Sequence, residues 1–196
     1  NNNMIINETI YDGPLIHERF AYKYLRKDVC PTGDVILFRA PMFVKEGLID
    51  LEDTLSNDYI ASADAVNICW EIPNMCPLGA VSFQRLFNTA IASILSNLIG
   101  KPIQMDGDDL MVVDDFIGSD KEKHSIGKVS VSITYSKENV AIGHTGINID
   151  AGDQAPGFAY SSKLSEYHVT QFMKEVQEYF YAETHDQFKA TTKVIV

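Results

Sequence analysis

The sequence predicts an α+β fold in which helices cover a mainly antiparallel, mixed β-sheet. Two patterns carry this prediction. Apolar residues alternate with small polar ones over residues 129–135, a Lys-Glu-Asn turn follows, and the apolar run 140–149 supplies a partner strand, which together indicate a β-hairpin. Apolar side chains also recur at helical spacing from Phe83 to Leu98, and Gly100 follows them in the position of a helix C-cap.

The remaining elements follow from shorter patterns. Apolar and β-branched runs indicate further strands or extended segments at residues 4–10, 35–38, 65–72, 102–105 and 110–113. A helix is expected at residues 15–25, where apolar residues lie amid charges, and a short acidic helix at residues 48–55. An apolar stripe indicates a C-terminal helix through Val169, Phe172, Met173, Val176 and Phe180. Polar loops are expected at residues 114–127 and 150–157.

The length and composition indicate one globular domain. A chain of 196 residues is long enough to bury a substantial core, and we expect the domain to span residues 4–196, with residues 1–3 as an extra tail before the start at Met4. The cysteine count is odd, at three, and no C-x-x-C pair occurs, which argues against a disulfide framework or a zinc site. A reducing, cytoplasmic compartment is therefore expected.

The charge balance limits the possible partners. The chain carries 27 acidic residues against 16 basic ones, for a net charge of −11. Such a chain repels phosphate backbones, so nucleic acid is not expected as a partner. No apolar run reaches the roughly 18 residues that a membrane span needs, so no membrane partner is expected either.

Lys128 and the hairpin that follows it form the strongest candidate site. Lys128 starts a strand whose polar positions, including Ser130 and Ser132, carry only small hydroxyl groups, so the lysine could reach across an uncrowded sheet face to a bound anion. Gly146 on the next strand leaves room for a ligand or for another backbone. The alternative is a solvated lysine at a strand end beside a glycine bulge.

Several other polar residues have more than one interpretation. Arg39 follows the apolar run 35–38, where it could bind a carboxylate or phosphate, or pair with one of the many acidic side chains. His144 could orient a carboxylate, and Tyr11 could line a pocket, but each could equally be a core residue. Arg85 is expected to be partly buried beside a structural carboxylate partner. The acidic turn at residues 106–109 could be half of a magnesium site, but turns are rich in Asp and Gly for conformational reasons, so no metal site is predicted.

Several segments of the chain resemble a family of proteins known as domain of unknown function 366. The segments are Tyr11-Asp12-Gly13, Val35 to Arg39, Ile49-Asp50-Leu51-Glu52-Asp53, Gln84-Arg85-Leu86, Gly107-Asp108-Asp109-Leu110 and Val129 to Ile133. The resemblance extends from about Met4 to Val176. It implies the fold of biotin and lipoate protein ligases, which is shared with class II aminoacyl-tRNA synthetases. Lys128 and the run 144–148 are similar to the lysine strand and the glycine-asparagine strand of that fold.

The resemblance implies a site for a small carboxylic acid, its acyl-adenylate or a nucleotide, with acyl activation or acyl transfer as the reaction. Lys128 would then neutralise developing charge, while His144 and Asp109 would orient the ligand, with Asp109 paired to Lys128 in the pocket. The ligand-binding residues would be Arg39, Gly107, Ser130, Ser132, Gly146, Asn148 and Tyr11.

The sequence also departs from the active ligases. The glycine-arginine phosphate loop of biotin ligases and the arginine pair of lipoate ligases are absent, and the matching region near Gly107 is acidic. ATP would therefore need magnesium to bridge its phosphates to the carboxylates. The sequence leaves open whether ATP and magnesium are the cofactors. No cysteine follows Cys76, which argues against the thioester mechanism of octanoyl transferases. The alternative to an enzyme is a non-catalytic module that binds a small molecule or nucleotide. A homodimer is expected in either case.

Overall fold

Eight strands form two sheets in the part of the chain that the computed structural model describes, namely residues 4–6, 11–12, 19–44, 55, 59–117 and 123–195. The strands are β1 (Met4–Ile6), β2 (Asp34–Val44), β3 (Ile60–Pro73), β4 (Ile103–Asp106), β5 (Asp109–Ile117), β6 (Lys123–Lys128), β7 (Ser130–Lys137) and β8 (Val140–Asp150). The larger sheet has the order β1-β2-β3-β8-β7, and only β1 and β2 run parallel. The smaller sheet is antiparallel and has the order β4-β5-β6. The predicted α+β class with a mainly antiparallel, mixed sheet is confirmed.

Two long helices cover one face of the larger sheet. They are α2 (Pro77–Ile99) and α3 (Glu166–Ala190), while the short helix α1 (Phe20–Leu25) lies on the opposite face. Phe83 and Phe87 of α2 and Phe180 of α3 meet over the sheet with ring centroids 5.4 to 5.8 Å apart. This contact explains why the apolar stripes of both helices could be recognised, since each stripe is the face that the core buries.

The ends of α2 and the β7–β8 hairpin follow the predicted local chemistry. The side chain of Cys76 caps the first turn of α2, and Gly100 ends the helix in the left-handed region with φ 68°. Glu138 and Asn139 connect β7 to β8 with φ values of 51° and 62°, as a tight hairpin turn requires. Ser165 caps the start of α3, and its hydroxyl accepts a hydrogen bond from the His168 amide.

Three sequence predictions are wrong in position. Residues 114–127 were expected to form a loop, but β5 continues to Ile117 and β6 covers Lys123–Lys128. Their acidic residues fit a strand because Asp114 and Asp115 are at least partly exposed and the register of β5 with β6 is irregular between Val113 and Phe116. Lys128 accordingly ends β6 rather than starting the next strand. Arg39 lies inside β2, opposite Val66, and not at a strand end.

The other elements are longer or shorter than expected. Strands β2, β3 and β5 extend beyond the predicted runs. The predicted helix 15–25 is present at Phe20–Leu25, whereas residues 15–18 lie outside the described residues. Most of the predicted helix 48–55 lies outside the described residues, as do residues 7–10 of the predicted first strand.

All three cysteines are free. None of the helices in the described part of the chain is long and apolar enough to cross a membrane.

Candidate functional site

Lys128 and Asp109 form an ion pair on the outer face of the smaller sheet. The Lys128 ammonium lies 3.0 Å from a carboxylate oxygen of Asp109, and about 30% of each side chain is exposed (28% and 31%). Lys128 is opposite Met111 in the register of β5 and β6, while Leu110 and Val112 point inward and are fully buried. Alternation along β5 therefore puts Asp109, Met111 and Lys128 on one accessible face. The expected contact between Lys128 and Asp109 is present, whereas their role in binding stays a prediction.

The backbone around Lys128 is fixed by residues 158–160. The Lys128 amide donates a hydrogen bond to the Phe158 carbonyl at 2.9 Å, and its carbonyl accepts one from the Tyr160 amide at 2.8 Å. The Asn148 amide side chain donates to the Tyr160 carbonyl at 3.3 Å. The same short segment thus connects Lys128 with Asn148, which joins two of the residues expected in the site.

The turn between β4 and β5 surrounds the ion pair with further charges. Gly107 has φ 61°, and a Cβ atom there would lie 3.6 Å from the Arg85 guanidinium. Burial raises the pKa of Asp108 and the charge of Asp109 raises it further, while Lys128 and Arg85 oppose the shift. Arg85 is exposed on α2, so the expected partly buried position is wrong. Two carboxylates and two cations therefore meet at this turn.

Two carboxylates alone make a weak metal site. Asp108 and Asp109 supply hard oxygen donors of the kind that magnesium prefers. Within the described ranges, however, no group of three or more His, Cys, Asp or Glu side chains is close enough to hold a metal ion. A divalent cation would therefore need ligand oxygens, such as those of a phosphate, to complete its coordination.

A buried polar network connects this turn to helix α2 and the larger sheet. Asn88 donates to the Asp108 carbonyl and to the Ser132 hydroxyl, both at 3.0 Å, and accepts from the Thr145 hydroxyl at 2.7 Å. Gln84 donates to the Asp108 carboxylate and to the Ser132 hydroxyl, again both at 3.0 Å. The network holds the β4–β5 turn, and with it Asp109, against α2.

The serines of β7 face this network and not an open surface. Ser132 contacts Gln84 and Asn88, and the hydroxyl of Ser130 accepts a hydrogen bond from the Leu110 amide at 2.9 Å. The hydroxyl-bearing side of β7 therefore packs toward α2, and the expectation of an uncrowded ligand face there is wrong. Polar residues on α2 make this possible because they satisfy hydroxyl groups that apolar side chains would leave unpaired.

We expect the substitution Asn88→Ala to destabilise the protein by about 2 kcal/mol, because it leaves several buried polar partners unpaired. Asn88 is fully buried and connects Asp108, Ser132 and Thr145. Urea denaturation measures the change, with Asn97→Ala on the exposed side of α2 as the matched control. Equal stability losses in the two variants would contradict the importance of the network.

His144 and Tyr11 form a second buried group on the opposite face of the larger sheet. Their rings stack with centroids 3.7 Å apart and planes 11° apart. The His144 Nε2 atom lies 2.9 Å from the Asn67 side-chain oxygen, and the Asn67 amide group donates to the Ala40 carbonyl. This orientation of Asn67 makes Nε2 of His144 the protonated nitrogen. Burial lowers the pKa of His144 to about 3, so the ring is neutral near pH 7.

The space beside Gly146 is filled by the protein itself. A Cβ atom at Gly146 would lie 2.3 Å from the Met42 sulfur and 3.1 Å from a methyl group of Val131. Tyr11, Met42 and His144 are each 2% exposed. Gly146 therefore leaves room for the side chain of Met42. Tyr11 and His144 are core residues, which is the second of the two interpretations that the sequence allowed.

Arg39 lies on the helix-facing side of the larger sheet. Its guanidinium binds both carboxylate oxygens of Asp64 at 2.7 to 3.2 Å and a carboxylate oxygen of Glu166 at 2.7 Å. These hydrogen bonds raise the pKa of Arg39. The arginine connects β2 and β3 to the first residue of α3, so its donors are used within the fold, away from Lys128.

The structure thus separates the residues that the sequence placed in one site. Gly107, Asp109, Lys128 and Asn148 come together, whereas Tyr11, His144 and Gly146 form a core group and Arg39 stands apart.

Sequence reasoning missed Asn67 and Asn88. Asn67 is a single amide inside the apolar run 65–72, and Gln84 and Asn88 are four residues apart beside the apolar stripe of α2, which are signals of buried polar contacts.

Solved structures share this fold. A protein of unknown function from Pyrococcus horikoshi is 23% identical, with a TM-score of 0.77 and 98% of each chain covered. The lipoate protein ligase of a bipartite lipoylation system from Thermoplasma acidophilum is 12% identical, with a TM-score of 0.55 over 93% of this chain and 83% of that chain. Biotin protein ligase from Leishmania major, solved with biotin, is 9% identical, with a TM-score of 0.55 over 91% and 74%.

The ligase likeness concerns the fold, since these identities are low. No curated protein matches the chain in sequence. The family described as Domain of unknown function (DUF366) matches residues 1–195, and the chain therefore belongs to the DUF366 family.

Proposed function

We propose that the protein binds a small carboxylic acid, its acyl-adenylate or a nucleotide at the Lys128–Asp109 pair, and that it uses this site for acyl activation or acyl transfer. The observation that carries the proposal is the partly exposed ion pair itself, with 3.0 Å between the charged groups. The likeness of the fold to lipoate and biotin protein ligases supports it, because lipoate and biotin are both small carboxylic acids.

The geometry suits an anionic ligand. The Lys128 ammonium keeps donors beyond the one that faces Asp109, and it is accessible from the outer face of the smaller sheet. A ligand carboxylate or phosphate would share the lysine with Asp109, and the lysine would stabilise negative charge that develops during acyl transfer. If the ligand is a nucleotide, Asp108 and Asp109 are the carboxylates that would hold its magnesium ion.

Non-catalytic binding is the second candidate. The acidic turn at residues 107–109 and the side chains packed around Gly146 favour it, because each differs from an open, basic phosphate site. The protein would then bind a ligand without turnover. We further propose that it acts as a homodimer in the cytoplasm. The edge position of β7 in the larger sheet supports association, which light scattering tests directly.

We expect calorimetric titration with ATP and magnesium to detect binding that weakens at least about tenfold in Lys128→Ala, a loss of about 1.4 kcal/mol. Lys101→Ala is the matched control, because Lys101 also pairs with an aspartate, Asp114, at 3.2 Å. The control variant should bind as the parent does. Lipoate and biotin are then added singly, and pyrophosphate release is measured.

The outcomes separate the candidates. Pyrophosphate release that requires an acid and Lys128 supports acyl activation. Binding of ATP or an acid that depends on Lys128, without pyrophosphate, supports the non-catalytic module. Lack of binding by ATP, lipoate and biotin, or binding that Lys128→Ala leaves unchanged, overturns the proposed site.

A further inference from the structure

A cleft with a volume of about 180 Å³ lies at the other end of the larger sheet. It forms where β2 begins at Asp34, β3 ends at Pro73 and β8 begins at Val140. Ser130 lies two residues after Lys128 and pairs with Ile147 of β8. Ile147 is seven residues along β8 from Val140, which lines the cleft. At about 3.4 Å per residue, Ile147 and Val140 are roughly 24 Å apart. The cleft is therefore distinct from the Lys128–Asp109 site.

Two carboxylates line the cleft directly opposite each other. Asp34 of β2 is the register partner of Glu71 of β3, so both side chains leave the same face of the sheet. They are only 7% and 6% exposed. Like charges in this cross-strand position are unfavourable, and burial makes each charge more costly. Burial and the charge of Glu71 together raise the pKa of Asp34.

The described part of the chain supplies one cation for these two carboxylates. Arg19 donates to one oxygen of Glu71, and the Tyr22 amide donates to the other at 2.7 Å. From the described residues, Asp34 accepts hydrogen bonds from two neutral groups, the Cys30 amide at 2.7 Å and the Tyr181 hydroxyl at 2.9 Å. The charge of Asp34 is thus hydrogen-bonded but has no counter-ion among the described residues.

The walls of the cleft suit a short hydrocarbon attached to a cation. Pro31, Pro73 and Val140 supply apolar surface around the two carboxylates. The Arg19 guanidinium lies 5.3 Å from the centre of the Tyr22 ring, so the cleft already holds one cation beside an aromatic side chain. The volume corresponds to about six water molecules at ~30 Å³ each, which is the size of a small organic molecule.

We propose that this cleft binds a small organic ammonium ion, such as a primary alkylamine, with its nitrogen beside Asp34 and Glu71. The ammonium group supplies a positive charge that Asp34 does not receive from the described residues, and it donates up to three hydrogen bonds to carboxylate oxygens. Its alkyl chain replaces water along the proline and valine walls. An anionic ligand is disfavoured here because two carboxylates face one guanidinium.

The test uses n-butylamine as the probe, with n-butanol and butyrate as neutral and anionic molecules of matched size. We expect saturable binding of n-butylamine in calorimetric or NMR titrations, and much weaker binding of the other two. The substitution Asp34→Asn keeps an oxygen that accepts hydrogen bonds and should weaken n-butylamine binding at least about tenfold. Asp186→Asn, on the exposed side of α3, is the control and should bind as the parent does.

A second readout does not depend on an Asp34 variant that folds. Cys30 lines the cleft, whereas Cys76 is exposed and lies outside it. Saturating n-butylamine should slow alkylation of Cys30, measured by peptide mass spectrometry, and leave Cys76 unchanged. Equal protection by n-butanol or butyrate, absence of saturable n-butylamine binding, or full binding by a folded Asp34→Asn protein each overturns the proposal.

Discussion

The substitution Gly143→Ala is expected to destabilise the protein by about 3 kcal/mol or more, because the new methyl group has no space in the core. Gly143 of β8 is the register partner of Trp70 on β3. A Cβ atom at Gly143 would lie 2.1 to 2.4 Å from three atoms of the indole ring. The ring cannot turn aside easily, since Trp70 is 1% exposed and packs edge-on against Phe83 of α2 at 4.9 Å.

Gly100→Ala separates this steric effect from the conformational effect of removing a glycine. Gly100 has a positive φ of 68°, but nothing lies within 4 Å of its added Cβ atom. Its replacement should cost only about 1 kcal/mol. Urea denaturation of both variants gives the comparison, and Gly143→Ala should cost less in a Trp70→Leu background than in the parent. A cost at Gly143 no greater than that at Gly100 would contradict the packing argument.

The fold could be predicted from the sequence wherever local chemistry and burial agree. Helix α2 has an apolar stripe that ends at Gly100, and the β7–β8 hairpin combines alternation with a turn. The β5–β6 pair shows the opposite case. Its outer face is accessible and its register is irregular near Asp114, so polar residues are tolerated where a strand forms, and the pattern resembles a loop. Only the pairing of β5 with β4 and β6 reveals it.

The candidate site was predictable only in part, because alternation shows that a strand has two faces but not what covers each one. The sequence alone assigns Ser132 to an open polar face of the strand. In the structure, Gln84 and Asn88 of α2 cover that face and donate hydrogen bonds to Ser132. The Lys128–Asp109 pair was expected from the resemblance to the ligase fold, because no local pattern in either segment specifies this contact. The contact of His144 with Asn67 joins residues 77 positions apart, and nothing in either local segment specifies it.

We expect the stability of the protein to fall by several kcal/mol as the pH decreases from about 6.5 to about 3, and His144 to account for a large part of the loss. Burial lowers the pKa of His144 from its ordinary value of 6.5 to about 3 in the folded protein. Between these values the unfolded chain binds a proton at His144 and the folded chain does not, so acid favours unfolding. Above about pH 6.5 neither state binds the proton and the effect vanishes. The full shift corresponds to about 5 kcal/mol.

The variant His144→Gln isolates this contribution. Glutamine does not titrate, and its amide could still donate a hydrogen bond to Asn67. Between about pH 7 and about pH 4.5 the parent should lose about 3 kcal/mol more stability than the variant in urea denaturation. His185→Gln, on an exposed part of α3, should keep the pH dependence of the parent. Parallel pH profiles for the parent and His144→Gln would contradict the prediction.

The stacked Tyr11 ring does not remove this acid sensitivity. An aromatic ring attracts a cation by about 2 kcal/mol at a desolvated site, which would favour the protonated histidine. Desolvation of a fully buried charge costs more than that, and Asn67 supplies an oxygen to only one of the two imidazolium N–H groups. Protonation therefore places a poorly solvated charge between β8, β3 and Tyr11. The same burial that stabilises this face of the sheet at neutral pH is what makes it sensitive to acid.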